Sequence, residues 1–582
     1  MRSLAGIAVA STTPTRPRWV EGLSPQAILL ALAAGLVAYL ALVPLVFLLY
    51  GSFLTPIVGG QGGTFTLQHY LKAYFDASGL PILGNSVAFA GGTAVVAFAI
   101  GTLLAWVTER TNTPLRRVFF GLSLIPLIIP GILFSLSWIF LLSPRIGLLN
   151  LVIQRLLHLP SAPFNIYSLG GMIWVEGLHW SPLVYLMMSA AFRSMDPALE
   201  ESAVMAGANP LVAFMRVTLR LSLPTVISVI LVLFLRGIET FEVPAIIGLP
   251  AGIHVFTSRI YLAVKGYPSN LGLAGAYSTI LLLMSLASIY LYARVTRQAN
   301  RFATVTGRGY RPRLSDLGPW RFLTAALVVG YLGLMVLLPL LVLLWNSLLP
   351  FYLPPSARAL PLLTLRNYAS VLTLPSIQRA IVNTTLLSVG SGTAVMALTA
   401  VIAWVTVRSR LRGRWLLDQL ASLPLVFPGV VLGVALATTY LVLPVPIYGT
   451  LWILLIAYVT RYIPYGMRAS SAALLQIHRE LEEAAEVSGA SWWRGFVRIV
   501  LPLLGPGLLA GWIYVVIVSA RELSSSILLW GPGGEVLSVM IFDLWQSGHP
   551  QELAALGILL VLALLAVIAA ARRLFRYPGV QY

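Results

Sequence analysis

Four ionisable residues stand where an apolar chain would not be expected to hold them. Glu239 and Glu242 are three positions apart inside one apolar run, so they share a helical face. Arg521 and Glu522 lie in a second run that repeats the first at an offset of 282 positions. Charge inside an apolar run is costly, and it marks pairing, gating or a substrate path. Arg521 stands at the repeat position of Glu239, so the expected arrangement is an ion pair between the two runs. Glu239, Glu242, Arg521 and Glu522 are therefore the candidate pathway residues or interhelical pair, with Glu176 and Arg461 as lesser candidates. The six histidines, His69, His158, His179, His254, His478 and His549, show no ligand spacing, and the chain has no cysteine. No metal site is expected within it.

A second set of polar residues is duplicated outright. Leu199 to Pro224 reads LEESAVMAGANPLVAFMRVTLRLSLP, and Leu481 to Pro506 reads LEEAAEVSGASWWRGFVRIVLPLLGP, again 282 positions apart. Glu201 and Glu483 fall in the first turn of an expected helix, where acids suit the positive end of the helix dipole. Ala203, Ala484 and Ala485 continue it with good propensity. Gly207 and Gly489 then permit a turn and a close backbone approach. A second short amphipathic helix should lead into the next apolar run. The chain has no GxxxxGK(S/T) phosphate loop, so it is not expected to hydrolyse ATP itself. No catalytic residue is assigned.

The elements that carry these residues follow from composition. Of 582 residues, 58% are hydrophobic and only 10% are charged. A soluble domain usually carries about 25% charged residues, so the expected solvent is lipid. Apolar runs near the ~20 residues that cross a bilayer recur at 28–50, 86–108, 118–142, 168–190, 224–247 and 273–294. They recur again at 322–345, 380–405, 418–443, 450–470, 503–528 and 551–572. The net charge of +19 is spread between these runs rather than along one basic face, which excludes a nucleic-acid partner.

Arginine sets the expected orientation, because short cytoplasmic loops are enriched in basic residues. Arg110, Arg116 and Arg117 lie in one loop, and Arg408, Arg410, Arg412 and Arg414 in another. Seven arginines against Asp316 mark 294–321, and Arg572, Arg573 and Arg576 close the chain. With twelve spans, all of these fall on one side, taken as the cytoplasm together with both termini. Lys72 and Lys265, the chain's two lysines, fall on the other side. The expected division is a cytoplasmic tail 1–27, a first six-span half 28–295 with core repeat 81–295, and a basic linker 296–320. A second six-span half 321–574 with core repeat 379–574 and a tail 575–582 complete it. The expected place is a membrane, with lipid around the spans.

The halves repeat in detail. Ala105-Trp106-Val107-Thr108 matches Ala403-Trp404-Val405-Thr406 at an offset of 298, and Pro126-x-x-x-Pro130-Gly131 matches Pro424-x-x-x-Pro428-Gly429 at the same offset. Asn85-Ser86-Val87 and Asn383-Thr384-Thr385 open the second and eighth runs. An even number of spans per half makes the repeats parallel, with a quasi-two-fold axis along the membrane normal and a path between the halves. The proline-glycine pairs should bend or loosen the spans that hold them.

The duplicated loops closely resemble the motif of the integral membrane subunits of binding-protein-dependent ABC importers of type I fold: E-A-A, three residues, G, nine residues, I, one residue, L-P. The second copy matches at Glu483, Ala484, Ala485, Gly489, Ile499, Leu501 and Pro502. The first matches at Glu201, Ala203, Gly207 and Leu219, with Val217 for Ile, and departs at Ser202 and Arg220. The resemblance implies an all-α permease of twelve helices in two parallel six-helix repeats. Each loop would be a coupling helix docked on one of two copies of an ABC ATPase, which would use the ATP and Mg; this chain would bind no cofactor. An extracytoplasmic binding protein would deliver the substrate. The fused length and the segment RELSSSILLWGPGGEVLSVMIFDLW, Arg521 to Trp545, are most similar to ferric-iron transport permeases. Fused thiamine and phosphonate permeases share much of the pattern. A twelve-span secondary transporter is the rival class; the paired docking loops argue against it.

Overall fold

In the computed structural model the described residues are 25–55, 63–77, 79–122, 125–195, 198–299, 314–409 and 413–574. The fold is all α-helical, as lipid demands of a chain whose backbone groups must be satisfied within each segment. Seven helices are long and apolar enough to cross a bilayer: Ile28–Ser52, Gly79–Arg110, Leu271–Arg297, Trp320–Ser347, Pro375–Arg408, Trp492–Ala520 and Pro550–Ala571. Two bent pairs, Leu211–Leu221 with Leu223–Glu239 and Arg414–Val426 with Gly429–Val442, bring the number to nine among the described residues. The other three expected spans fall on Gly131–Leu142, Leu169–Ser194 and Leu451–Leu475. The first is short, and the other two carry polar residues such as Glu176 and Arg461. In chain order these twelve helices are called spans 1 to 12.

Spans 3 and 9, expected over 118–142 and 418–443 as runs bent or loosened at their proline-glycine pairs, are broken outright there. A single 3-10 turn, Ile125–Ile128 or Leu423–Val426, comes first, and an α-helix restarts at Gly131 or Gly429. The axis turns by 106° across the break in span 9. Pro130 and Pro428 are the cause: proline lacks the N–H that would continue the preceding turn. Their ψ angles of 137° and 143° lie outside the helical region. The restarted helices have 12 and 14 residues, about 18–21 Å at ~1.5 Å per residue, which is short of a ~30 Å hydrocarbon core. Both are buried on nearly every face, so they form the middle of the molecule. Spans 5 and 11 also stop early, at Glu239 and Ala520, rather than at 247 and 528. The chain then folds back through short helices, Phe256–Lys265 and Leu537–Gln546.

The first span of each half touches the other half. Span 1 packs on span 9 of the other half, and span 7 packs on span 3. Tyr39 and Tyr440 share a hydroxyl hydrogen bond of 3.0 Å across the first contact. Spans 2 and 4 pack closely, as do spans 8 and 10. Part of the expected linker lies outside the described residues, but its end is held. The Ser315 N–H donates to Arg110 O at 2.9 Å, and Asn112 Nδ2 donates to Asp316 Oδ1 at 2.5 Å. Donation from the Gly318 N–H and from Asn112 keeps the Asp316 carboxyl below its usual range.

Small residues let these helices approach, as is usual in lipid, where helices gain little from burying apolar surface against each other. A Cβ on Gly237 of span 5 would come 2.8 Å from Ala90 Cα of span 2. Gly237→Leu is therefore expected to wedge the two helices apart and to cost about 1–3 kcal/mol or more. Unfolding in mixed detergent micelles measures the cost, and wild-type stability would contradict the contact.

Candidate coupling loops and intramembrane charge cluster

Two exposed loop helices follow spans 4 and 10 at one end of the bundle: Ala198–Met205 and Glu480–Val487. Each ends on a left-handed glycine, Gly207 at φ +93° and Gly489 at φ +78°. The turns are matched bond for bond. Ala208 N–H donates to Ala203 O and Gly207 N–H to Val204 O; Ala490 N–H donates to Ala485 O and Gly489 N–H to Glu486 O. This is the paired helix-end closure that glycine favours. Glu483 and Ala484 are exposed and Ala485 is buried. Ala203 is half-buried, and the side chain of Glu201 lies outside the described residues. Two apolar residues at matched positions, Met205 and Val487, are 89% and 90% exposed.

The acid just before each motif glutamate turns inward. Glu482 stands 3.0 Å from Arg408 Nε of span 8, without hydrogen-bond alignment between those atoms, and accepts from Trp404 Nε1 at 2.9 Å. Arg408 Nη2 also donates to Leu474 O at 3.0 Å and to Ile477 O. In the first half, Arg110 Nε stands 4.0 Å from Glu200, and Arg110 Nη2 donates to Met195 O at 3.1 Å. Thr218 donates to Glu200. The repeated tryptophans serve the same junction: Trp106 packs on Phe214 with centroids 5.2 Å apart, and Trp404 on Phe496 at 6.3 Å.

Deep in the bundle, spans 4, 5, 10 and 11 bring their charges together with the proline-glycine breaks. Glu176 accepts from Trp180 Nε1 at 2.6 Å and from Thr240 Oγ1. Arg236 Nη1 pairs with Glu239 at 3.0 Å, and Arg236 Nη2 crosses to the other half to donate to Tyr465 OH at 2.7 Å. Its guanidinium lies 5.7 Å from the Trp180 ring centroid. Arg461 Nη1 pairs with Glu522 at 3.0 Å, and Tyr462 OH donates to Glu522 at 2.8 Å. A Cβ on Gly131 would collide with Glu242, and one on Gly429 with Arg461. Both glycines are thus needed where they stand, because a charged side chain fills the space.

Glu239 therefore finds its salt bridge on its own helix with Arg236, and not as the expected partner of Arg521. Its reach into the second half is electrostatic, toward Arg461 and Glu522. Arg521 has contacts of its own and acts electrostatically on Glu242 and His179. Repeat-equivalent positions hold different chemistry: His179 and Thr240 in one half correspond to Arg461 and Glu522 in the other. The carboxylate sits on span 4 in the first half and at the end of span 11 in the second. Among the described residues no three His, Cys, Asp or Glu side chains converge as a metal site.

The family model described as binding-protein-dependent transport system inner membrane component matches residues 97–302 and 395–577. The chain belongs to this family. This permease is similar to a putative ferric transport system permease protein of Haemophilus influenzae, 26% identical over 81% of this chain and 73% of that one. A ferric transport system permease protein of Actinobacillus pleuropneumoniae is 24% identical over 87% of this chain and 73% of its own. The sulfate transport system permease protein CysT of Escherichia coli is 32% identical, over 29% of this chain and 66% of its own. The chain is accordingly an ABC importer permease of fused, double length, most similar to ferric transport permeases.

Several residues of this permease escape a reading by composition. Arg110 and Arg408 look like loop charges, yet each ends a long helix and is buried, at 4% and 9% side-chain exposure. Their offset of 298, which Trp106 and Trp404 share, is the signal that marks them. Arg236 stands three residues before Glu239, the spacing of a same-helix ion pair. Tyr465 carries no such signal, because its role depends on which spans meet across the halves.

Proposed function

We propose that this permease is the translocation subunit of an ATP-driven importer that carries ferric iron into the cytoplasm. The observation that carries the substrate is the extent of the similarity. The ferric transport relatives align across both halves, over 81% and 87% of this chain. A 2-aminoethylphosphonate relative from Salmonella choleraesuis covers 33% of it, and the sulfate relative covers 29%.

The energy comes from two copies of a separate ATPase subunit that binds and hydrolyses ATP with Mg. Each copy seats on one loop helix, where Met205 or Val487 offers a bare apolar contact and Glu201 or Glu483 a charged one. An extracytoplasmic binding protein brings the iron to the opposite end. The loop helices and both termini face the cytoplasm of a bacterial or archaeal inner membrane, and 51–80 and 346–378 lie outside. Glu239, Glu242, Arg521 and Glu522 stand along or beside the route between the halves.

The test is reconstitution in liposomes with the ATPase and the binding protein. ATP-dependent uptake of radiolabelled ferric iron is expected, with no uptake of sulfate or 2-aminoethylphosphonate. Uptake of either anion in place of iron would overturn the substrate. Iron uptake driven by an ion gradient without the ATPase would overturn the class. Single cysteines placed in this cysteine-free chain report orientation: an impermeant reagent added to intact cells should label 346–378 and spare 408–414.

A further inference from the structure

Span 2, Gly79–Arg110, and span 8, Pro375–Arg408, are bonded at both ends, and at matched positions. At the loop-helix end, Arg110 and Arg408 reach the inward acids Glu200 and Glu482. The same guanidinium groups bond the carbonyls that close spans 4 and 10, Met195 O and Ile477 O, which are 282 positions apart. At the opposite end, Asn85 Nδ2 donates to His254 O at 3.2 Å, and Ser86 Oγ accepts from the Phe256 N–H at 3.0 Å. In the second half, Asn383 Nδ2 donates to Gly533 O and Glu535 O at 3.0 and 2.9 Å. Thr384 Oγ1 accepts from the Leu537 N–H at 2.9 Å. Each of these bonds grips the backbone that folds back after span 5 or 11.

We propose that spans 2 and 8 are push-rods, clamped by Arg110–Glu200 and Arg408–Glu482 to the loop helices and by Asn85 and Asn383 to the fold-back segments, so that ATPase movement reaches the far side. The reading rests on the loop helices being the ATPase seats. From Asn85 to Arg110 is about 38 Å of uninterrupted helix at ~1.5 Å per residue, more than the hydrocarbon core. A continuous helix transmits displacement along its axis, whereas spans 3 and 9, broken at proline, do not. Coupling between distant sites needs a contiguous element that both sites bias, and these two helices are bonded at both ends. A buried ion pair is an expensive way to hold a surface loop. Its recurrence at the same place in both halves fits a joint that bears load. Glu483 remains free to meet the ATPase because Glu482 makes the joint. The arginine, the inward acid and the asparagine are positioning residues: they touch neither ATP nor iron.

The test uses the full permease with its ATPase and binding protein in liposomes, and reads iron delivered per ATP hydrolysed. Arg408→Ala is expected to lower that ratio about tenfold, within the usual range of coupling between distant sites. Arg408→Lys, which keeps a positive donor for Glu482 and the carbonyls of Leu474 and Ile477, is expected to retain most of it. Asn383→Ala, at the other end of the rod, is expected to lower the same ratio even though it lies far from the ATPase. A local anchor for the loop helix would leave Asn383→Ala at the wild-type ratio, and that result overturns the rod. So does a wild-type ratio in Arg408→Ala. If Arg408→Ala fails to fold, Arg408→Lys and Asn383→Ala still decide. A wild-type permease that binds no ATPase would instead refute the importer reading, and the two failures are distinguishable.

Discussion

Gly489→Val is expected to reduce ATPase binding and to cut transport by about tenfold or more. Gly489 stands at φ +78°, a region costly for any residue with a Cβ and worst for a β-branched one. The intrinsic penalty is about 1–2 kcal/mol. A Cβ there meets nothing within 4 Å in the permease itself, so the loop could relax only by giving up its turn. The Ala490 to Ala485 and Gly489 to Glu486 bonds would open, and Val487 would leave its presented position. Gly207→Val carries the same backbone strain at φ +93°. Its effect should be smaller, because its loop is held more loosely. Each inward acid takes one further bond, Glu200 from Thr218 and Glu482 from Trp404, but Arg110 is 4.0 Å from Glu200 whereas Arg408 is 3.0 Å from Glu482. A loosely held loop can shift to relieve strain; a tightly held one cannot. The measurements are ATPase recovery on purified permease and transport in liposomes. Wild-type values for both variants would remove the docking role of these loops.

The loops were readable because repetition exposes them. An offset that stays constant across acid, alanine and glycine picks out one local structure built twice, and both copies close on a left-handed glycine. The proline-glycine pairs were readable as weak points, but not the size of the break. The space beside Gly429 is filled by Arg461 of span 10 and Ser524 of the turn after span 11, neighbours that the local pattern does not name. The central ions show the limit more clearly. A quasi-two-fold axis makes Glu239 and Arg521 equivalent, and equivalence is not contact. Symmetry-related residues meet only on the axis itself. Away from the axis each finds neighbours in its own half, as Glu239 finds Arg236. Within this cluster, Arg236 to Tyr465 crosses between the halves and joins positions that the repeat does not relate. Burial hid Arg110 and Arg408 from a charge count, since a count treats every arginine near a span end as solvated.

The second large effect concerns Glu522. It pairs with Arg461 at 3.0 Å, accepts from Tyr462 OH at 2.8 Å, and takes the Ser525 N–H at 3.1 Å and hydroxyl at 3.2 Å. Its side chain is 7% exposed. Glu522→Ala leaves a buried guanidinium without its carboxylate and three donors without an acceptor, a loss of about 3–5 kcal/mol. Glu522→Gln keeps an acceptor for Tyr462 and Ser525 and should cost less. The repeat suggests the rescue. The first half builds the same place from His179 and Thr240, with no ion pair between them. The double variant Arg461→His with Glu522→Thr should therefore recover most of the stability that Glu522→Ala loses. Replacing both members of a buried pair is far less harmful than removing one. Unfolding in mixed micelles reads stability, and wild-type stability for Glu522→Ala would refute the pair. Transport by the double variant then separates two roles. If the ions only hold the halves in shape, a stable double variant transports at the wild-type rate. If they stand beside the route, stability returns while transport stays low, because a path lined by histidine and threonine presents a different charge to the passing substrate.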